Sequence, residues 1–205
     1  MTATAADDRV AAAFAARNGP AAGLAGQAGD LVAAALAMAG RFHAGGTLVV
    51  FGTGGASTDA QHVAVEFMHP VIVGKRALPA ISLTSDVATL TGLAGRGGPD
   101  GVFGYQIGLL AEPGDIALGI ATGDDGQAVA GGLRAARERG LLTVALVGGD
   151  GSAIAGSGAA DYVLTAASAD PRVVKEVQVT AYHVLWELVH VFLEQPAVLG
   201  PGAVR

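Results

Sequence analysis

The sequence predicts an α/β protein: a three-layer sandwich with a five-stranded parallel sheet, preceded by N-terminal helices. Three features carry this. Short apolar runs without polar alternation recur along the chain, the pattern of strands buried on both faces. Helical windows separate them, and strand–helix alternation demands crossover connections and hence a parallel sheet. The first run ends in Gly52-Thr53-Gly54-Gly55, a glycine-rich turn suited to joining a strand to a following helix.

In chain order, two Ala-rich helical stretches come first, at roughly 3–17 and 29–44. The breaker run Asn18-Gly19-Pro20 and Gly23 separates them, and Asp30 is the expected cap of the second. The pattern changes after Gly45-Gly46. Apolar runs follow at Thr47–Phe51, Leu78–Leu83, Asp115–Ile120, Leu141–Val147 and Tyr162–Leu164. Between them lie helical windows near 57–69, 103–111, 126–139 and 172–194. Gly92–Gly104 reads as a long loop, and long loops in compact domains tend to line active sites. The chain thus divides into an N-terminal helical segment (1–45), a sheet-bearing domain (46–195) and a C-terminal tail (196–205).

Composition removes several functional classes. The 205 residues suit one domain. Lys and Arg number 12 against 18 Asp and Glu, and no basic run occurs, so no nucleic-acid partner is expected. The absence of Cys excludes a disulfide framework, a cysteine zinc site and a thiol nucleophile. Two acids precede the first base, so the N-terminus does not read as a signal peptide. The longest apolar stretches, such as 31–39, fall far short of the ~20 residues of a membrane span. A soluble, cytoplasmic protein without a membrane partner is the expectation.

In an open parallel sheet, ligands bind at the carboxyl ends of the strands. Gly52 to Ser57 occupies such an end and opens a helix whose free amides favour an anion. No Gly-Lys-Ser/Thr follows, so this is not a Walker A loop. Ser57 replaces the third glycine of a dinucleotide fingerprint, and no acid stands near position 72. A tight turn without a ligand remains the alternative. On the next helix His62 and Glu66 stand four residues apart, hence on one face, where they can share a metal or form an oriented base. A plain surface contact is the alternative there. The last helix carries Lys175, Glu176, Gln178, His183, Glu187 and His190. His183 lies in an apolar stretch beside Trp186, and a core histidine bonded to a carbonyl is its simpler reading. His43, His69 and His190 read as structural.

Gly52-x-Gly54-Gly55 followed by Asp59-Ala60-Gln61-His62-x-x-x-Glu66 resembles the signature of the sugar isomerase (SIS) domain family, and within it that of the phosphoheptose isomerases. Leu78–Asp86 resembles the second strand of that family and Pro113–Ile120 the third. Arg134–Gly140 resembles the helix end that follows, and Lys175-Glu176-Val177-Gln178 through His183 the last helix. The resemblance runs from about residue 29 to 194. It implies aldose–ketose isomerisation of a sugar phosphate through an enediol, with Glu66 as base and His183 as its acid–base partner. It implies zinc as cofactor, with His62, Glu66 and His183 as three of four ligands. Substrate contacts would fall on Thr53, Gly54, Gly55, Ser57, Asp86, Thr122, Gly123 and Lys175. The family is homotetrameric, with sites at subunit contacts.

The chain also departs from the family pattern. Lys175 stands where the family has a Gln, the fourth zinc ligand, eight residues before His183. Either its ammonium points at the metal position near Glu66 and His62 and replaces zinc, or it turns to solvent and Glu176 completes the zinc site. The loop after the third strand reads Ala121-Thr122-Gly123-Asp124-Asp125-Gly126 where the family has Ser-Thr-Ser-Gly-Asn-Ser. Thr53 and Ala56 replace an Asn and a Ser, and Gly95-Arg96-Gly97-Gly98 lacks the family's Asn-Asp pair. Acid–base residues are kept while phosphate-binding residues are mostly lost. The expectation is a sugar isomerase-like enzyme acting on a heptose or related sugar (phosphate), with weak or absent turnover of sedoheptulose 7-phosphate. The alternative is a non-catalytic SIS protein that binds a sugar derivative or a protein partner.

Overall fold

The computed structural model describes residues 3–123 and 126–199. Helices α1 (Ala3–Ala15), α2 (Asn18–Ala25) and α3 (Ala28–His43) precede strand β1 (Leu48–Gly52). Then follow α4 (Ala56–Met68), β2 (Ala80–Ser82), α5 (Val87–Gly97), α6 (Val102–Leu110), β3 (Ile116–Ala121), α7 (Gly126–Glu138) and β4 (Leu142–Gly148). The chain continues through α8 (Ser152–Ala155), β5 (Tyr162–Ala166) and the long α9 (Pro171–Leu193). All five strands pair in parallel, in the order β2-β1-β3-β4-β5.

Strand side chains alternate between two buried layers, which is why the strands show no polar alternation. Leu48, Val50, Leu118, Ile120, Val144 and Leu164 face α3, α4 and α9, packing with Met38, Phe67 and Leu185. Val49, Phe51, Ala117, Ala145 and Val147 face α6 and α7, packing with Phe103, Ile107 and Leu133. The predicted three-layer sandwich is therefore present. Helix α3 is part of its first layer, burying Leu31, Ala34, Ala35, Met38, Ala39 and Phe42.

Local differences from the sequence reading have identifiable causes. The run from Gly92 to Gly104 is not a loop. Asp86 caps α5, accepting bonds from the amides of Ala88 and Thr89, and Gly98 ends that helix at φ +79°. Burial of Val102 and Phe103 then anchors α6. The run Asn18-Gly19-Pro20 opens α2 instead of breaking it, because proline is tolerated in a first helical turn. Asp30 lies inside the first turn of α3 and is not its cap. The capping position belongs to Gln27, whose side chain turns to the edge strand. Its amide donates to the Thr165 carbonyl at 2.8 Å and its oxygen accepts from the Thr165 amide at 2.9 Å, closing part of the β5 edge. The apolar run at Leu78–Leu83 contributes only three residues to the sheet.

The strand order places a reversal of winding between β1 and β3, and in open α/β sheets that crevice receives the ligand. Two turns open onto it: the glycine turn between β1 and α4, and the stretch after β3 that begins at Thr122. Asp124 and Asp125 lie outside the described residues.

Candidate active site

The turn after β1 is shaped by two glycines. A side chain on Gly52 would stand 2.7 Å from the Ile120 carbonyl of β3, so the residue permits close approach of strand and helix. Gly54 takes φ +54°, which favours glycine. Ser57 and Thr58 donate their hydroxyls to the carbonyls of Gly54 and Gly55, tying the turn to the first turn of α4. Thr53, Ser57 and Thr122 are half-buried, and Gly54, Gly55 and Gly123 are exposed, so these predicted contact residues stand at the crevice mouth. Asp86 is differently engaged. Both its carboxylate oxygens serve the α5 cap, and the Thr89 hydroxyl at 2.6 Å, ahead of the amides, holds its carboxyl below the usual range.

Helix α4 lies against α9, and the packing brings together three of the candidate side chains. Trp186 donates its indole N–H to the Glu66 carbonyl at 2.9 Å, which sets the register between the helices. His62 Nε2 lies 3.2 Å from Glu66 Oε1, and the His62 and His183 rings meet edge to face at 5.4 Å. One ligand atom from each of His62, Glu66 and His183 falls within 4.8 Å of the other two. The Glu66 side chain is only 14% exposed, whereas that of His62 is 42% exposed. His183 is exposed and not the carbonyl-bonded core residue of the simpler reading. That role belongs to His190, buried and bonded to the carbonyls of Trp186 and Arg76. Beside the triad opens a cleft of about 390 Å³, walled by Glu66, His183 and Trp186 with Val71, Ile72 and Val191.

Two imidazoles and a carboxylate make a donor set used by catalytic zinc, which keeps its fourth position for water or substrate. The residues present therefore fit a metal. Lys175 does not point at it. Its ammonium reaches Asp59 Oδ2 at 2.5 Å, the Gly55 carbonyl at 3.0 Å and the Thr58 hydroxyl at 3.2 Å. The expectation that Lys175 lies with Glu66 and His62 is corrected. Asp59 is nearly fully buried, and its carboxylate needs a cation more than Glu66 does, which is less deeply buried and already faces His62. Glu176 does not complete the site either. The Arg17 fork holds it by two bonds, at 2.6 and 2.9 Å, and turns it toward the N-terminal helices.

Two residues near the site were not singled out from sequence. Tyr182, buried beside His183, places its hydroxyl 2.8 Å from His62 Nδ1 and its ring against both histidines. Burial first, then the Asp59 and Glu66 charges, raise its pKa, so the phenol stays protonated at neutral pH. The signal available in sequence was a tyrosine on the apolar stripe of α9, whose hydroxyl must find a partner. Asp59 was visible only as part of the motif. Its role as the Lys175 partner depends on tertiary packing.

The parallel sandwich is that of a SIS domain protein, and the family model for the SIS domain matches residues 20–148. The phosphoheptose isomerase of Solidesulfovibrio magneticus is 38% identical over 170 residues, 82% of this chain and 82% of that protein. That of Pelobacter propionicus is 40% identical over 148 residues, 72% of this chain and 77% of that protein. The structure of a phosphoheptose isomerase from Francisella tularensis matches with a TM-score of 0.83 at 26% identity, covering 93% of this chain and 100% of that one. The chain belongs to the phosphoheptose isomerase family of SIS domain proteins and is an isomerase-type enzyme.

Proposed function

We propose that the chain interconverts an aldose and a ketose of a heptose or related sugar, bound in the crevice between β1 and β3. One observation carries the reading: residues 62, 66 and 183, from two helices far apart in sequence, bring their ligand atoms within 4.8 Å. Glu66 takes the proton from the carbon next to the carbonyl and returns it to the neighbouring carbon. His183 hands a proton to the carbonyl oxygen and accepts one from the adjacent hydroxyl, so the enediol forms and collapses without net proton change. Zinc held by His62, Glu66 and His183 would polarise the sugar oxygens and stabilise negative charge on the enediolate. Glu66→Gln keeps the shape and removes the base. It should lower kcat by about 10²–10⁴-fold with the fold intact. Undiminished turnover in that variant would end the assignment.

Homotetrameric assembly belongs to the same proposal. Phe14 and Val10 of α1, Val65 and Met68 of α4, and Val71 to Val73 all stand exposed, an apolar surface suited to other subunits. A cytoplasmic location without nucleic-acid or membrane partners completes the reading; among the described residues no single helix is long and apolar enough to cross a membrane.

A further inference from the structure

His62 makes two contacts of opposite demand. Its Nε2 faces Glu66 at 3.2 Å, and its Nδ1 faces the Tyr182 hydroxyl at 2.8 Å. A neutral imidazole carries one N–H, and a carboxylate only accepts. While Nε2 faces Glu66, the ring proton must therefore sit on Nε2, and Tyr182 must donate its O–H to Nδ1. A cation bound through Nε2 requires the opposite arrangement, with the proton on Nδ1 and an acceptor facing it.

We infer that Tyr182 is a positioning residue whose hydroxyl serves both tautomers of His62, donating to Nδ1 in the metal-free protein and accepting from Nδ1–H when Nε2 binds a divalent cation. A hydroxyl can do both; an ammonium or guanidinium only donates, and a carbonyl only accepts. In the exchange, one N–H bond breaks at Nε2 and one forms at Nδ1. Solvent carries the proton, since the His62 side chain is 42% exposed, and the protein gains or loses none. The hydroxyl is held in place because the phenol ring is buried and packs edge to face on His62, centroids 5.5 Å apart, and on His183 at 4.8 Å.

This inference rests on the metal reading of the site, and the test separates the two. Long-range ¹⁵N spectra at a pH where the rings are neutral report the His62 tautomer, and competition with a chelator reports zinc affinity. The metal-free protein should show Nε2–H at His62 and the zinc-loaded protein Nδ1–H. Tyr182→Phe keeps the ring, and its folding is read from the same spectra; it should weaken zinc binding about 10–100-fold. Zinc affinity within threefold of the unmodified protein would overturn the inference. So would Nδ1–H in the metal-free unmodified protein, an observation that needs no variant. A protein that takes up no zinc refutes the metal reading instead, and the metal-free tautomer still decides what the hydroxyl does.

Discussion

Removal of the Lys175 ammonium tests whether this residue is a structural clamp. In Lys175→Met, Asp59 keeps a carboxylate whose side chain is 6% exposed and loses the cation now 2.5 Å away. Breaking a buried pair on one side costs about 3–5 kcal/mol. Here the lysine end is 38% exposed, so water screens part of the loss, and surface pairs are worth about 0–1 kcal/mol. The expected cost is about 2 kcal/mol. For a chain of this length that lowers Tm by roughly 4–8 °C. Lys175→Met/Asp59→Asn removes both charges and should recover most of the loss, because an unpaired buried carboxylate is what destabilises the single variant. Urea or thermal unfolding of the two single variants and the double variant yields the coupling energy. A Lys175→Met protein within about 0.5 kcal/mol of the parent, with no coupling, would refute the clamp and reopen a place for the ammonium at the histidines.

Three more outcomes are expected. Replacing Ala121, Gly123 and Gly126 with Ser should lower KM for sedoheptulose 7-phosphate about tenfold or more, since one hydrogen bond to a charged group is worth ~1.5–3 kcal/mol; an unchanged KM would show that the phosphate is held elsewhere. The Arg172 guanidinium holds the Asp170 carboxyl down at about 2, from an ordinary 3.8. Its contribution to stability is therefore full above that ordinary value and is lost as pH falls through about 2. The gap in urea midpoint between the parent and Asp170→Asn should be open at neutral pH and close in that acid window. Sedimentation should show an assembly larger than the 20.1 kDa chain at micromolar concentration, and a monomer would end the tetramer proposal.

The sheet was legible because its strands are buried on both faces and so are written as apolar runs. The helices after β1 and β3 were legible from glycine turns and apolar stripes. Asp86 and Gly98 are start and stop signals for α5, but the glycines of 92–104 lower helix propensity and hide the element at the level of sequence. His62 and Glu66 could be paired from spacing because both lie on one helix. His183 could not be joined to them from spacing, since only the packing of α9 on α4 does so, and the resemblance to a family supplied that link. Lys175 and Glu176 were misplaced for a related reason. Helical spacing fixes which face a residue occupies, not which of several opposite charges it meets there. Asp59 and Arg17, both distant in sequence, decided the outcome.

The departures from the family pattern fall on different structural supports from the residues that are kept. His62, Glu66, Tyr182 and His183 depend on α4 packing against α9, through the Trp186–Glu66 bond, the Tyr182–His62 bond and the edge-to-face rings. The altered loop follows β3, and among the described residues a bond from the Gln178 amide to the Ala121 carbonyl ties its start to α9. That bond uses a backbone oxygen, so it survives any exchange of side chain at position 121. Loss of the serine hydroxyls after β3 therefore need not disturb the proposed proton-transfer pair. Substrate binding and proton transfer can therefore diverge independently on this scaffold, and turnover of phosphorylated and unphosphorylated heptoses side by side would read how far the loop has done so.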